Sequence, residues 1–171
     1  MKNLKKQNGV TLLELLMVVG IAAVISVSAL VFFKSTDESN KVSMEAKNLG
    51  TLASGIANMF AGQGSYDGIT NAAIVASNVL PDNMRGPGGN IKHSWKADGV
   101  AVTPTQINAT SYNDAFTITY SAVPARSCVD LMSKTYSTFV SATVNGTAVT
   151  NVASIGPLCD QATGNVLTWT R

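Results

Sequence analysis

A chain of 171 residues, 46% hydrophobic and 13% charged, with a formal charge of +2, has room for one membrane segment and one modest domain. Three of its basic residues, Lys2, Lys5 and Lys6, fall in the first nine positions, and without that stretch the side chains sum to −1. The basicity therefore belongs to the N-terminus and leaves no basic face for nucleic acid, while abundant Gly, Ala, Ser, Thr and Asn suit a secreted surface protein that packs against copies of itself.

The leader MKNLKKQNG precedes Val10–Phe33, VTLLELLMVVGIAAVISVSALVFF, 24 residues that are apolar but for small or hydroxyl side chains and one acid, Glu14. As a helix this run is roughly 36 Å long, enough to cross the hydrocarbon of a bilayer. Basic residues on its N-terminal flank hold that end in the cytoplasm and place everything after Lys34 outside. A carboxylate near the end of a membrane helix is costly, so it is expected to have a role and a partner. If the chain is cut after Gly9, the new α-amino group of Val10 lies four residues before Glu14. One helix start does not easily close that pair within itself, but a neighbouring copy shifted along the axis does. Two plainer readings are a secretory signal peptide cut after Val27-Ser28-Ala29, with a mature start at Leu30, and a simple signal anchor. Neither needs Glu14.

Lys34–Lys41 reads as a polar collar at the membrane edge, after which Val42, Ala46, Leu49, Ala53, Ile56 and Phe60 repeat at three- and four-residue spacing. They form one apolar stripe, with Lys47, Thr51, Ser54 and Asn58 opposite. No proline occurs before Pro81, so one helix from Thr11 to Phe60 is expected; its length is roughly 75 Å. A head of about 110 residues, with a radius of gyration near 13 Å, covers only the second half, and the first half projects as a stalk. Gly20, Ser26 and Ser28 are the places where it bends or loosens.

Ala61–Ser65 ends the helix with two glycines. Asn71–Asn78 reads as a short helix and Leu80–Gly89 as loop. Strands are expected at Ile91–Trp95, Gly99–Thr103, Ala115–Tyr120, Thr138–Val144, Thr147–Val152 and Asn165–Arg171. Asn145-Gly146 is the strongest short hairpin signal. Ala125–Lys134 reads as a helix that turns Cys128, Leu131 and Met132 inward. The fold class is therefore α+β: a long N-terminal helix packed on an antiparallel sheet. An even cysteine count in an exported domain points to a disulfide between Cys128 and Cys159, closing a 32-residue loop.

Chemistry is sparse. His93, beside Lys92 and Trp95, reads as a surface strand residue that could titrate near neutral pH; a single histidine without an acid or thiol cluster is not a metal site. Phosphate loops, G-x-S-x-G and paired carboxylates at helical spacing are missing from the sequence. Asn108-Ala-Thr110 and Asn145-Gly-Thr147 fit the N-glycosylation pattern by chance. Tyr66, Trp95, Tyr120, Tyr136 and Trp169 read as core or subunit contacts. No enzyme, metal or cofactor is expected.

Lys-Lys-Gln-Asn-Gly9 followed by Val10-Thr-Leu-Leu-Glu14 and an unbroken apolar run resembles the type IV pilins, and Val10 as first mature residue resembles their type IVb branch. Gly62–Tyr66 through Leu80–Asn83 also resembles type IVb bundle-forming pilins. The resemblance implies prepilin peptidase cleavage between Gly9 and Val10, methylation of Val10, and assembly through Val10, Thr11, Leu12, Leu13 and Glu14. It also implies a C-terminal disulfide bounding an exposed region. Four segments follow: a cleaved leader at 1–9, a membrane and filament-core half at 10–33, an amphipathic half at 34–60, and a head at 61–171. The expected protein is a major pilus subunit, held single-pass in a bacterial inner membrane and then polymerised outside. Its partners are its own copies, the peptidase, the pilus assembly machinery and a host-cell or bacterial surface receptor. Adhesion, aggregation, conjugation and DNA uptake all use such subunits. A minor pilin, a type II secretion pseudopilin and a membrane-anchored periplasmic binding protein are the alternatives. The surface that would discriminate among partners is placed between Cys128 and Cys159 and around Asp82–Asn90.

Overall fold

The computed structural model of the chain describes residues 11–160 and 163–171. Its first element is helix α1 (Leu12–Met59), and the chain divides between Glu38 and Ser39 into two compact units. In the first unit every described side chain from Thr11 to Asp37 is exposed. Gly20, Ser26 and Ser28, expected to bend or loosen the helix, are all helical. The serine hydroxyls donate back to the carbonyls of Ala22 and Val24 at 2.8 and 2.9 Å, and Thr36 does the same to Phe32 at 3.0 Å. Hydroxyls satisfied within their own turn leave the helix surface effectively apolar.

In the second unit α1 buries Val42, Leu49, Leu52, Ala53 and Ile56, Phe60 just past its end is buried too, Ala46 packs at the margin, and Lys47, Thr51, Ser54 and Asn58 are exposed. The apolar stripe thus lies where three- and four-residue spacing puts it. It meets a six-stranded antiparallel sheet of β1 (Ile91–His93), β2 (Lys96–Thr105), β3 (Ala115–Val123), β4 (Ser141–Val144), β5 (Thr147–Ala148) and β6 (Asn165–Thr170). The strand order is β1-β2-β3-β6-β4-β5, so the last strand enters the middle. Register aligns two transverse rows of buried side chains, Val102–Ile118–Trp169–Ala142 and Val100–Tyr120–Leu167–Val144. The alternate residues, among them Thr103, Thr117, Thr119, Thr143, Thr168 and Thr170, face the other way. Thr103 hydrogen-bonds Thr117 at 2.8 Å and Thr119 bonds Thr168 at 3.1 Å across the strands. Trp169 is wholly buried; its indole N–H donates to Thr135 Oγ1 at 2.9 Å, and its ring meets Tyr120 edge-on at 5.3 Å.

Three smaller helices complete the head: α2 (Asn71–Ala76), α3 (Ala125–Thr135) and α4 (Val152–Leu158). Thr70 caps α2, its hydroxyl accepting from Ala73 N at 3.2 Å. Asn71 then completes the edge of β2, donating to Val100 O and accepting from Val102 N, both at 2.8 Å. Cys128, Leu131 and Met132 of α3 are buried, and Cys128 is joined to Cys159 beside α4 across a Cα–Cα distance of 5.8 Å.

Several expected boundaries shift. Gly99–Thr103 extends to the ten residues of β2. Tyr136–Thr138 is a 3-10 turn, so β4 begins only at Ser141. Thr147–Val152, expected as a strand, ends at Ala148, because the Asn151 side chain accepts from Ser154 N at 3.0 Å and starts α4. The Asn145-Gly146 turn forms as expected, with φ of 51° and 81° at its two residues. Leu80–Gly89 holds two 3-10 turns, Asp82–Met84 and Pro87–Gly89, rather than open loop. Met84 is fully buried there, and Arg85 donates to Val75 O at 2.9 Å.

Replacing both cysteines by serine is expected to lower stability by about 3.5–4 kcal/mol, the chain entropy released when a loop of this length is no longer closed. Urea unfolding followed by the fluorescence of buried Trp169 checks this.

Candidate functional site

Of the expected site residues, Gly9 and Val10 lie outside the described residues. Thr11 immediately precedes α1, and its Oγ1 accepts from the Glu14 backbone N–H at 3.3 Å. This is half of a capping box, for which Thr and Glu three residues apart are the required pair. A carboxylate in the first turn also faces the positive end of the helix macrodipole. Thr11 and Glu14 therefore each have a local role at the helix start. Leu12 and Leu13 are 79% and 68% exposed. Fourteen large apolar side chains between Leu12 and Phe33 are 58–79% exposed. They occur on all sides of the helix rather than in a stripe, the pattern of a helix that resides among apolar neighbours.

The head contains a polar cluster that the sequence reading missed. Glu45 lies in the apolar stripe, one turn after Val42 and one before Leu49, and is only 2% exposed. Its Oε1 accepts from the Ser94 amide at 2.8 Å and the Ser94 hydroxyl at 2.7 Å; Oε2 accepts from the Tyr120 hydroxyl at 3.4 Å. Burial and the facing carboxylate push the Tyr120 phenol well above its ordinary value. One side chain of α1 thus holds both the β1–β2 turn and the centre of β3.

His93, expected at the surface, is buried at 5% exposure. It shares the inward face of β1 with Ile91 and stacks on the Tyr120 ring at 4.9 Å and 9°. Its Nε2 donates to Ser121 O at 2.9 Å and its Nδ1 accepts from the Trp95 amide at 3.1 Å. That pairing defines a neutral ring. A Cβ on Gly99 would land on the His93 ring, so this strand position takes glycine. Burial lowers the His93 pKa below 6.5, against the opposing pull of the Ser121 carbonyl and the Glu45 charge.

The region between the cysteines exposes Val140 and Val152 at 67% and 53% and carries no charged residue from Thr135 to Cys159. Its turn is firmly held. Asn145 Nδ2 donates to Leu158 O at 2.9 Å and to Asn165 Oδ1 at 3.0 Å, while its Oδ1 accepts from Val166 N at 2.9 Å. Around Asp82–Asn90, the exposed residues are Asp82, Asn83, Pro87–Gly89 and Asn90. Among the described residues no group of His, Cys, Asp or Glu is placed to hold a metal ion.

A family model described as PilS N terminal matches residues 39–171, and one described as the prokaryotic N-terminal methylation motif matches residues 4–30. The chain belongs to the PilS family of type IV pilins. Two curated relatives, each named major structural subunit of bundle-forming pilus, come from Escherichia coli O111:H- and from E. coli O127:H6 (strain E2348/69 / EPEC). Each is 26% identical over 161 residues, 94% of this pilin and 82% of the relative. The crystal structure of TcpA, a type IV pilin from Vibrio cholerae El Tor biotype, matches with a TM-score of 0.59 at 12% identity, over 77% of this chain and 99% of that one. That of the type IVb pilin from Salmonella typhi matches at 0.58 and 23%, over 74% and 97%. These two confirm the pilin fold, a long N-terminal helix on an antiparallel sheet. As a type IV pilin the chain is a structural subunit of a pilus, and its methylation motif implies processing by a prepilin peptidase.

Glu45→Ala removes the acceptor for three hydrogens and is expected to cost roughly 2–4 kcal/mol, with Glu45→Gln costing less because an acceptor remains. Urea unfolding of the two variants side by side measures the difference.

Proposed function

We propose that this pilin is the major subunit of a type IVb pilus, and that its filaments associate laterally in cell aggregation. The observation that carries the assembly reading is the run of fourteen exposed large apolar side chains from Leu12 to Phe33. Each of these is worth about 1.5–3 kcal/mol when fully buried, so their removal from water is a driving force of some tens of kcal/mol. A bilayer supplies that burial before assembly, and the same segments of neighbouring subunits supply it afterwards. The order of events is insertion by the basic leader (residues 1–9), single-pass residence in the inner membrane with residues 10–33 in the hydrocarbon, and cleavage between Gly9 and Val10. Methylation of Val10 and polymerisation outside the cell then complete the path. The head, residues 61–171, and the amphipathic half of α1, residues 34–60, remain in the periplasm until extraction by the assembly machinery.

Polymerisation is a head-to-tail contact that does not close, which generates a helical filament. In it the Glu14 carboxylate meets the Val10 amine of a neighbour, neutralising both where water is excluded and setting axial register. The name of the two relatives, major structural subunit of bundle-forming pilus, supports lateral association of filaments. The surface between Cys128 and Cys159, uncharged from Thr135 onward and exposing Val140 and Val152, is the face offered for it, or for a cell-surface receptor.

The intact mass of the protein from its native cell is expected to fit a chain starting at Val10 and one methyl group heavier; an uncut Met1 or a start at Leu30 would overturn the processing. Glu14→Ala is expected to leave the head folded while reducing filament yield sharply, since losing one member of a buried pair costs about 3–5 kcal/mol per subunit. Quantifying sheared filaments by gel measures this, and unchanged yield would overturn the register role.

A further inference from the structure

We propose that His93 is an acid-released latch on the edge of the head: while its ring is neutral it holds the β1–β2 hairpin closed, and gaining a proton opens it. The argument is geometric. The imidazole is enclosed between Gly99 and the Tyr120 ring, and both nitrogens are committed, Nε2 as donor to Ser121 O and Nδ1 as acceptor from the Trp95 amide. A proton added to Nδ1 turns that acceptor into a donor facing another donor. The bond from the Trp95 amide, at the turn between β1 and β2, to the ring is then broken.

The strand it secures is short and lies at the edge: Ile91 is buried and bridges to Arg85, and Glu45 holds Ser94, so His93 is the side chain that ties the end of β1 to the centre of the sheet. β1 is three residues long, lies at the sheet edge and pairs within the sheet only with β2. The charged and titratable groups around the ring are Glu45 from α1, Tyr120 from β3, Lys96 and Asp98 from β2, and Lys92 on β1 itself. Glu45 and Asp98 favour the cation, Lys96 opposes it, and burial, which opposes it most, dominates. The folded-state pKa therefore lies below the unfolded value of 6.5. With the group depressed in the folded state, its stabilisation is complete above pH 6.5 and is lost as pH falls from there to the folded value, because in that window the open state binds the proton more readily. The Glu45 tether to Ser94 keeps the turn anchored to α1, so the response is a local opening of the edge rather than unfolding of the head.

The test is hydrogen exchange on the full chain in detergent micelles at pH 7 and pH 5, corrected for the pH dependence of the chemical exchange step. Protection of the Trp95 amide and of the β1–β2 hairpin is expected to fall by up to about tenfold per pH unit below 6.5 until the folded pKa is reached, while β3 and β6 stay protected. His93→Gln keeps one donor and one acceptor but takes no charge, and its hairpin is expected to show the same protection at both pH values. Equal protection in the unmodified chain at pH 7 and pH 5 would overturn the proposal. An undiminished pH response in His93→Gln would also overturn it, because the opening would then not depend on the imidazole.

Discussion

Helix α1 must satisfy two kinds of surroundings, and the rest of the molecule follows from that division. From Leu12 to Phe33 the apolar side chains go all the way round, so no single packed face can cover them. From Val42 onward they are confined to one stripe, which a sheet can cover. The first pattern demands neighbours on every side, a lipid bilayer or other copies of the same helix. The second demands one partner surface and supplies the head with its core. A pilus subunit needs both, and the change of pattern occurs across the polar residues Lys34–Lys41 without breaking the helix.

Within the head, direct polar bonds position what hydrophobic burial alone leaves loose. A stripe of Leu49, Leu52 and Ile56 does not distinguish small slides of helix over sheet. Glu45 does, because its carboxylate bonds a particular amide, Ser94, and a particular phenol, Tyr120. Asn145 and Asn165 do the same at the other side, tying the β4–β5 turn, the end of α4 and the β3–β6 junction together. Such buried networks are costly if half made and specific when complete. The disulfide acts on the same region by a different route, through the entropy of the unfolded chain.

The helix, its stripe, α3, β3 and β6, the Asn-Gly turn and the cysteine pair were all legible, because each rests on periodicity or on local turn chemistry. His93 was misread although its signal was present: Ile91, His93 and Trp95 alternate, and Ile91 marks the inward face. Glu45 was passed over because nothing local marks a charged residue as buried, and only its cross-sheet partners, 49 and 75 residues away, reveal its place. Helix α4 was hidden by Pro157 inside it and by the β-branched run before it, so Asn151 as a cap was mistaken for the end of a strand. The central position of β6 has no local signature, since strand order is decided by contacts across the whole chain.

That central position has a consequence for biogenesis. Trp169 and Leu167 each stand between two neighbouring strands and fill the middle of both buried rows. The β3 and β4 edges have no partner for each other until Asn165–Thr170 arrives between them. The head therefore closes only when β6 is in place: until then the two half-sheets stay open toward each other. A chain lacking Asn165–Thr170 would be not a slightly trimmed subunit but an unclosed one, with two unpaired strand edges and no tryptophan keystone, a ready target for proteolysis before it could enter a growing fibre.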